Sequence, residues 1–316
     1  MLTVLYRGPL ASCNYACAYC PFAKKKDSRQ DLQRDARGLE RFVDWVAGRS
    51  TPTSVFFTPW GEALIRRAYR EALVRLSLVP HLRRAAIQTN LSAPLSFLDR
   101  CNPTRVGLWC TFHPTETTLD RFVRACREVD ARGVSFSVGI VGRVDHVDAA
   151  RELRRALPEH VYVWVNADRR AVYDDAQLAA LTAVDPLFSH NLAPPPSAGA
   201  PCAAGHDVIS VDGRGDVRRC HFLPEVIANV YEAGWEKALA PRPCPSRACT
   251  CHIGYVHRRD LPLGGLFNDG ILERRLARLP IAQVSSTGAY AAGSSNPAIQ
   301  AAAAWQRVSV GGTRMT

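Results

Sequence analysis

The chain has 316 residues, 47% of them hydrophobic and 22% charged, a balance that excludes gross disorder and leaves room for one large domain with a smaller one beside it. No apolar run approaches the roughly 20 residues needed to span a bilayer, and residues 1–7 are too short for the hydrophobic region of a secretion signal, so a cytoplasmic protein is expected. A formal charge of +11 favours an acidic partner, whether nucleic acid, a phosphorylated metabolite or an acidic peptide.

In chain order, short apolar runs at 2–6, 54–57, 85–89, 105–111, 134–140 and 161–165 read as strands. Helical patterns lie between them: Leu39, Phe42, Val43 and Val46 recur at helical spacing, as do Leu119, Phe122, Val123 and Cys126. Six strands alternating with helices predict parallel βα units with right-handed crossovers. The expected fold class is α/β, a partial (βα)6 TIM-like barrel. Residues 190–201, HNLAPPPSAGAP, break the alternation and read as a linker. Val208, Ile209 and Val211 then run into Asp212-Gly213-Arg214-Gly215 and Val217, a hairpin signal that opens a small C-terminal β-hairpin/helix domain near Cys202. From about 285 the composition turns to Ala, Ser and Gly, predicting a weakly ordered tail with Trp305 as its one anchor.

Eight of the eleven cysteines fall in two groups, and clustered thiols in a reducing compartment more often bind metal than pair. Cys101, Cys110 and Cys126 share no pattern and read as small buried hydrophobes. Cys13, Cys17 and Cys20 follow the first strand with the spacing C-x3-C-x2-C. Three thiolates on one loop can hold three corners of a cubane, whereas a closed zinc site needs a fourth ligand. CxxxCxΦC, with Tyr19 in the aromatic place, resembles the signature loop of the radical SAM superfamily. The resemblance implies a 4Fe-4S cluster on Cys13, Cys17 and Cys20, with one iron open to S-adenosylmethionine (AdoMet). It implies a cytosolic reductant such as flavodoxin or ferredoxin, and cleavage of AdoMet to a 5'-deoxyadenosyl radical that takes hydrogen from substrate.

Thr58-Pro59-Trp60-Gly61-Glu62-Ala63 is similar to the superfamily's GGEP motif, with Trp60 and Ala63 in place of Gly and Pro. By that resemblance Glu62 accepts from the AdoMet amino group and Gly61 lets the backbone approach it. Gln88-Thr89-Asn90 resembles the TN turn that brings Asn90 near the cofactor. Thr111-Phe112-His113 resembles strand ends that contact the ribose, with His113 there or facing substrate. Val138 to Asp145 aligns with GxIxGxxE, which would pack Ile140 on the adenine; Asp145 is read as an N-cap of the following helix. The basic run Lys24, Lys25 and Lys26 reads as a solvated loop.

In the second group, Cys202-x12-Gly215-x4-Cys220 matches the opening of SPASM and twitch extensions, and Cys244, Cys249 and Cys251 offer three more thiolates. The resemblance implies a twitch-like domain with one auxiliary 4Fe-4S cluster. Cys202, Cys220, Cys249 and Cys251 are preferred over Cys244, which prolines flank. His252 and His257 read as surface residues. The ending of this domain is similar to that of small bacterial radical SAM proteins of unknown substrate. The expected division is a barrel over 1–190, a linker over 191–201, the auxiliary-cluster domain over 202–262 and a C-terminal extension over 263–316. The function this implies is oxidation or cross-linking of a peptide or small anionic metabolite, with no membrane role. The competing reading is a non-catalytic zinc protein that binds nucleic acid through its basic surface.

Overall fold

The computed structural model describes residues 1–23 and 25–277. Lys24, the expected tail from about 285 and Trp305 lie outside the described residues.

All six expected strands form: β1 (Leu2–Arg7), β2 (Thr53–Phe57), β3 (Leu82–Thr89), β4 (Val106–Phe112), β5 (Ser135–Gly142) and β6 (Val163–Ala167). They are parallel and lie in sequence order, each beside the next. The helices between them are α1 (Arg29–Ala47), α2 (Arg67–Ser77), α3 (Leu119–Ala131), α4 (Val147–Ala156) and α5 (Asp175–Val184). Helix α1 starts at a capping box, Ser28 with Asp31, and buries Leu39, Phe42, Val43 and Val46 on one face. Helix α3 likewise buries Phe122, Val123 and Cys126. Residues from all five helices join a single core with Val4, Tyr6, Val55, Phe57 and Ile140. With these five helices on one face of a parallel sheet, the sheet has the half-barrel arrangement rather than a doubly wound one.

A short α6 (Ser189–Leu192) is followed by β7 (Val208–Asp212), β8 (Asp216–Arg218) and β9 (Ala228–Asn229). The hairpin is as expected, and Gly215 supplies its positive φ of 89°. Its position differs from expectation: β7 pairs in parallel with β1, so the sheet runs on without a break through β7, β8 and β9. The stretch 190–201 is not a free linker either. Gly199 N donates to Cys244 O at 2.8 Å, Cys249 N to Pro195 O at 2.9 Å and Ser197 N to Arg247 O at 2.9 Å.

The second face of the sheet carries its own cluster, in which Leu5, Phe56, Ala86, Trp109 and Trp164 meet Tyr255, Val256, Phe267 and Leu272. Helix α7 (Leu263–Phe267) and the residues after it therefore plug this inner face. Arg274, 1% exposed, lies over Trp109, Trp164 and Phe267 at 4.9, 5.4 and 5.5 Å, and Glu273 accepts from Ser135 Oγ at 2.5 Å. Among the described residues no helix is long and apolar enough to cross a membrane.

Candidate functional site

The loop between β1 and α1 carries the first three cysteines and is pinned from several sides. Asp27 Oδ2 accepts from Ala11 N, Ser12 N and Ser12 Oγ at 2.9, 2.8 and 2.7 Å. The buried carboxyl of Asp35, pushed up to about 6 by desolvation, accepts from Leu10 N at 3.2 Å. Glu116 accepts from Ala16 N at 3.0 Å. These three carboxylates carry no signal in the sequence, since each acts through the fold on backbone donors far away in the chain.

Gly61 and Glu62 lie directly beneath the loop. Glu62 N donates to Ser12 O at 3.1 Å, and a Cβ on Gly61 would stand 1.9 Å from that same oxygen. The glycine therefore admits the cysteine loop itself. The Glu62 carboxylate accepts from protein donors: Leu64 N and Thr89 Oγ1, each at 2.9 Å, and Asn90 N at 2.5 Å. Burial raises its pKa to about 7, and these three donors oppose the rise. Asn90 reaches the cysteine loop, donating through Nδ2 to Asn14 Oδ1 at 3.0 Å with Cys13 Sγ at 3.9 Å.

His113 also joins this group. Its Nδ1 is 3.0 Å from Tyr19 Oη and 3.4 Å from Cys17 Sγ, and burial lowers the imidazole to about 4. Tyr19 stacks on His113 on one side, and the guanidinium of Arg143 lies 5.3 Å from its ring. Asp145 holds Arg143 there through two bonds of 2.8 Å and does not cap α4, whose N-cap residue is His146, with no side-chain cap bond. Ile140 departs from expectation. It is fully buried in the helix-side core, on the face of β5 opposite Ser137, whose hydroxyl donates to the inner plug at Glu273 O. Alternation along the strand makes Val141, half-exposed, the inner-face residue at that end.

The second set gathers more completely than expected. Cys202, Cys220, Cys244, Cys249 and Cys251 all line one cavity of about 60 Å³, and all five are free thiols. Cys244 belongs with the others despite its flanking prolines. His257, read as a surface residue, lines the same cavity; it is 7% exposed, and burial lowers its imidazole to about 3. His252 is also shielded, with its pKa lowered to about 4. Arg219 and Arg258 line the cavity too, and among the described residues no carboxylate does. Arg219 holds the walls together by donating to Pro243 O at 2.8 Å and Arg242 O at 2.6 Å. His221, next to Cys220, bridges Ser210 Oγ at 2.7 Å and Thr58 Oγ1 at 2.9 Å. It thereby ties this cavity to the turn that carries Gly61.

Among the described residues no three His, Cys, Asp or Glu side chains converge tightly enough to hold one metal ion. Five thiols lining one cavity are a donor set that suits either a zinc ion or an iron-sulfur cluster, whose thiolates are spread over separate irons. Burial raises the thiols of Cys17 to about 11 and Cys249 to about 12, so loading metal at either set displaces protons.

No family model matches the chain, and no curated protein matches it either. Solved structures do. The chain resembles native anSMEcpe with bound AdoMet at a TM-score of 0.51 and 14% identity, over 76% of this chain and 80% of that one. The same protein with bound AdoMet and Cp18Cys peptide gives 0.50 and 14% over the same shares. The likeness is one of fold. In the solved structure anSMEcpe carries bound AdoMet.

Proposed function

We propose that the chain is a radical SAM enzyme that oxidises or cross-links a peptide or small anionic metabolite. The observation that carries this reading is the Cys13, Cys17 and Cys20 loop, seated on Gly61 at the C-terminal ends of a half-barrel whose fold matches an AdoMet-binding protein. The chemistry supplied by a 4Fe-4S cluster held there is one-electron cleavage of AdoMet to methionine and a 5'-deoxyadenosyl radical, which removes a hydrogen atom from substrate. Asn90, His113 and Tyr19 orient the loop's sulfurs, and Arg143 covers Tyr19. The five cysteines that line one cavity would hold a second cluster, which would supply an acceptor for the electron that a substrate radical gives up as it loses a proton, completing a two-electron oxidation. A peptide substrate is supported by the peptide bound to anSMEcpe and by the charge of +11.

Anaerobic reconstitution tests the proposal. About eight irons per chain and dithionite-dependent AdoMet cleavage are expected. Cys17→Ala should abolish cleavage, whereas Cys220→Ala should remove only the auxiliary iron. Zinc without iron, or no cleavage from fully loaded protein, would overturn it.

A further inference from the structure

Besides its five cysteines, the second cavity is lined by four buried polar side chains, those of Ser197, Arg219, His257 and Arg258. Three of them spend donors on the surrounding walls. Ser197 Oγ donates to Ser246 O at 2.8 Å. Arg219 donates to Ala204 O, Pro243 O and Arg242 O at 3.4, 2.8 and 2.6 Å. Arg258 donates through Nε to Asp260 Oδ1 at 2.9 Å and through Nη1 to Pro195 O at 3.3 Å. His257 differs from these three. Its Nε2 is buried and has no hydrogen-bond partner among the described residues.

The backbone ties this residue to both ends of the cysteine set. His257 closes a 3-10 turn, Tyr255–His257, that starts from Cys251. Gly254 N and Tyr255 N donate to Cys251 O at 3.0 and 3.2 Å, and His257 N donates to Gly254 O at 3.0 Å. From the other end, Ala203 N donates to His257 O at 3.0 Å, and Cys202 Sγ lies 3.6 Å from the same oxygen. A buried imidazole nitrogen without a partner is costly, and a leucine would fill such a place without that cost. In a cavity lined by five sulfurs the acceptor is at hand, because thiolates and the sulfides of a cluster accept hydrogen bonds. Four thiolates complete a cubane, so five cysteines leave no iron that requires a histidine as ligand. The histidine is therefore left to act as a donor.

Building on the function proposed above, we propose that His257 is a positioning residue of the auxiliary site, whose Nε2–H donates to a sulfur of the cluster held by the five cysteines. A hydrogen bond to a cluster sulfur favours the more negative, one-electron-reduced state and so raises the reduction potential. His257 thereby poises the site to receive the electron that a substrate radical gives up.

The test uses the full chain carrying Cys17→Ala, loaded with iron anaerobically, so that the auxiliary cluster is observed by itself. Its potential is measured by EPR-monitored redox titration with His257 intact and in His257→Leu and His257→Gln. His257→Leu is expected to lower the equilibrium constant for reduction by about 10-fold, which is about 59 mV for one electron. His257→Gln keeps a donor and is expected to recover about half of that shift or more. An unchanged or higher potential in His257→Leu, or equal shifts in the two variants, would overturn the inference. Should His257→Leu lose iron, the protein with His257 intact is labelled with nitrogen-15 histidine and its reduced cluster is read by pulsed EPR. A weak coupling to one histidine nitrogen is expected; no coupling, or the strong coupling of a ligating imidazole, overturns the assignment. The underlying reading is checked separately on the wild-type chain. No auxiliary iron or no AdoMet cleavage there defeats the proposed function, whereas loaded protein that cleaves AdoMet but has a potential indifferent to His257 defeats this inference alone.

Discussion

Gly61→Ala isolates the seating of the first cysteine loop. The added methyl would lie 1.9 Å from Ser12 O, 2.4 Å from Ser12 C and 2.9 Å from Ala11 O, all backbone atoms with no flexible end to yield. Restoring an ordinary contact requires the loop to withdraw by roughly 1.5 Å. That movement breaks the Glu62 N to Ser12 O bond and pulls against the three bonds that Asp27 makes to Ala11 and Ser12. Overpacking at about 1–3 kcal/mol and one lost hydrogen bond at about 1 kcal/mol give a cost of about 2–4 kcal/mol. Because Ser12 precedes Cys13, the displacement acts directly on a ligand. Iron and sulfide counts should fall by about half, AdoMet cleavage should be lost, and the five-cysteine set should stay loaded. Gly264→Ala serves as the control, since nothing lies within 4 Å of its Cβ and the change sits in helix α7. Wild-type iron content, cleavage and melting temperature in Gly61→Ala would refute the reasoning.

Two further outcomes follow from buried charge. Asp185 is fully buried, accepts from Tyr162 Oη, Leu187 N and Val165 N, and burial raises its pKa from 3.8 to about 7. Its protonated form is favoured in the fold, so the stability it contributes is full below about pH 4 and is lost as pH rises toward 7. The stability gap between wild type and Asp185→Asn should therefore shrink from pH 5 to pH 8, by no more than about 4 kcal/mol in denaturant titrations; a constant gap would contradict it. Arg274→Met keeps the bulk between the aromatic rings but removes the donors to Ile271 O at 2.6 Å, His252 O at 2.9 Å and Ile253 O at 3.1 Å. A loss of about 3 kcal/mol and weaker retention of auxiliary iron are expected, measured by denaturation midpoint and metal content. An unchanged iron count would separate the plug from the cavity.

The parts legible in the sequence were those written locally. Each of the six strands is a run of apolar residues between breakers, α1 and α3 repeat at 3.6, and Gly213 and Gly215 mark a hairpin. The residues that make the site work carry long-range information instead. Ile140 sits in an apolar run whose alternation was not resolved by its motif, so its face was misjudged. His257 follows Gly254 and Tyr255 in a stretch that looks like surface, yet the five-cysteine cavity is built against it. Cys244 was ranked behind Cys249 and Cys251 because of its prolines, although Gly199 N, far back in the expected linker, donates to its carbonyl.

The inner plug shows why such features resist reading. Leu272-Glu273-Arg274-Arg275 has the composition of a solvated helix end, and only contact with strands over 100 residues earlier makes it core. A side chain on Gly107 would stand 2.7 Å from Glu273 Oε2, so that glycine, like the inward hydroxyls of Ser135 and Ser137, is a sign of the plug within the barrel strands, uninformative without its partner. The plug also bears on function. By covering Trp109 and Trp164 from below with Arg274, it seals the apolar depth of the sheet's inner face. A substrate of the proposed reaction that entered from the strand ends would meet that aromatic floor beside the Cys13 loop, so the C-terminal segment would set how deep it reaches.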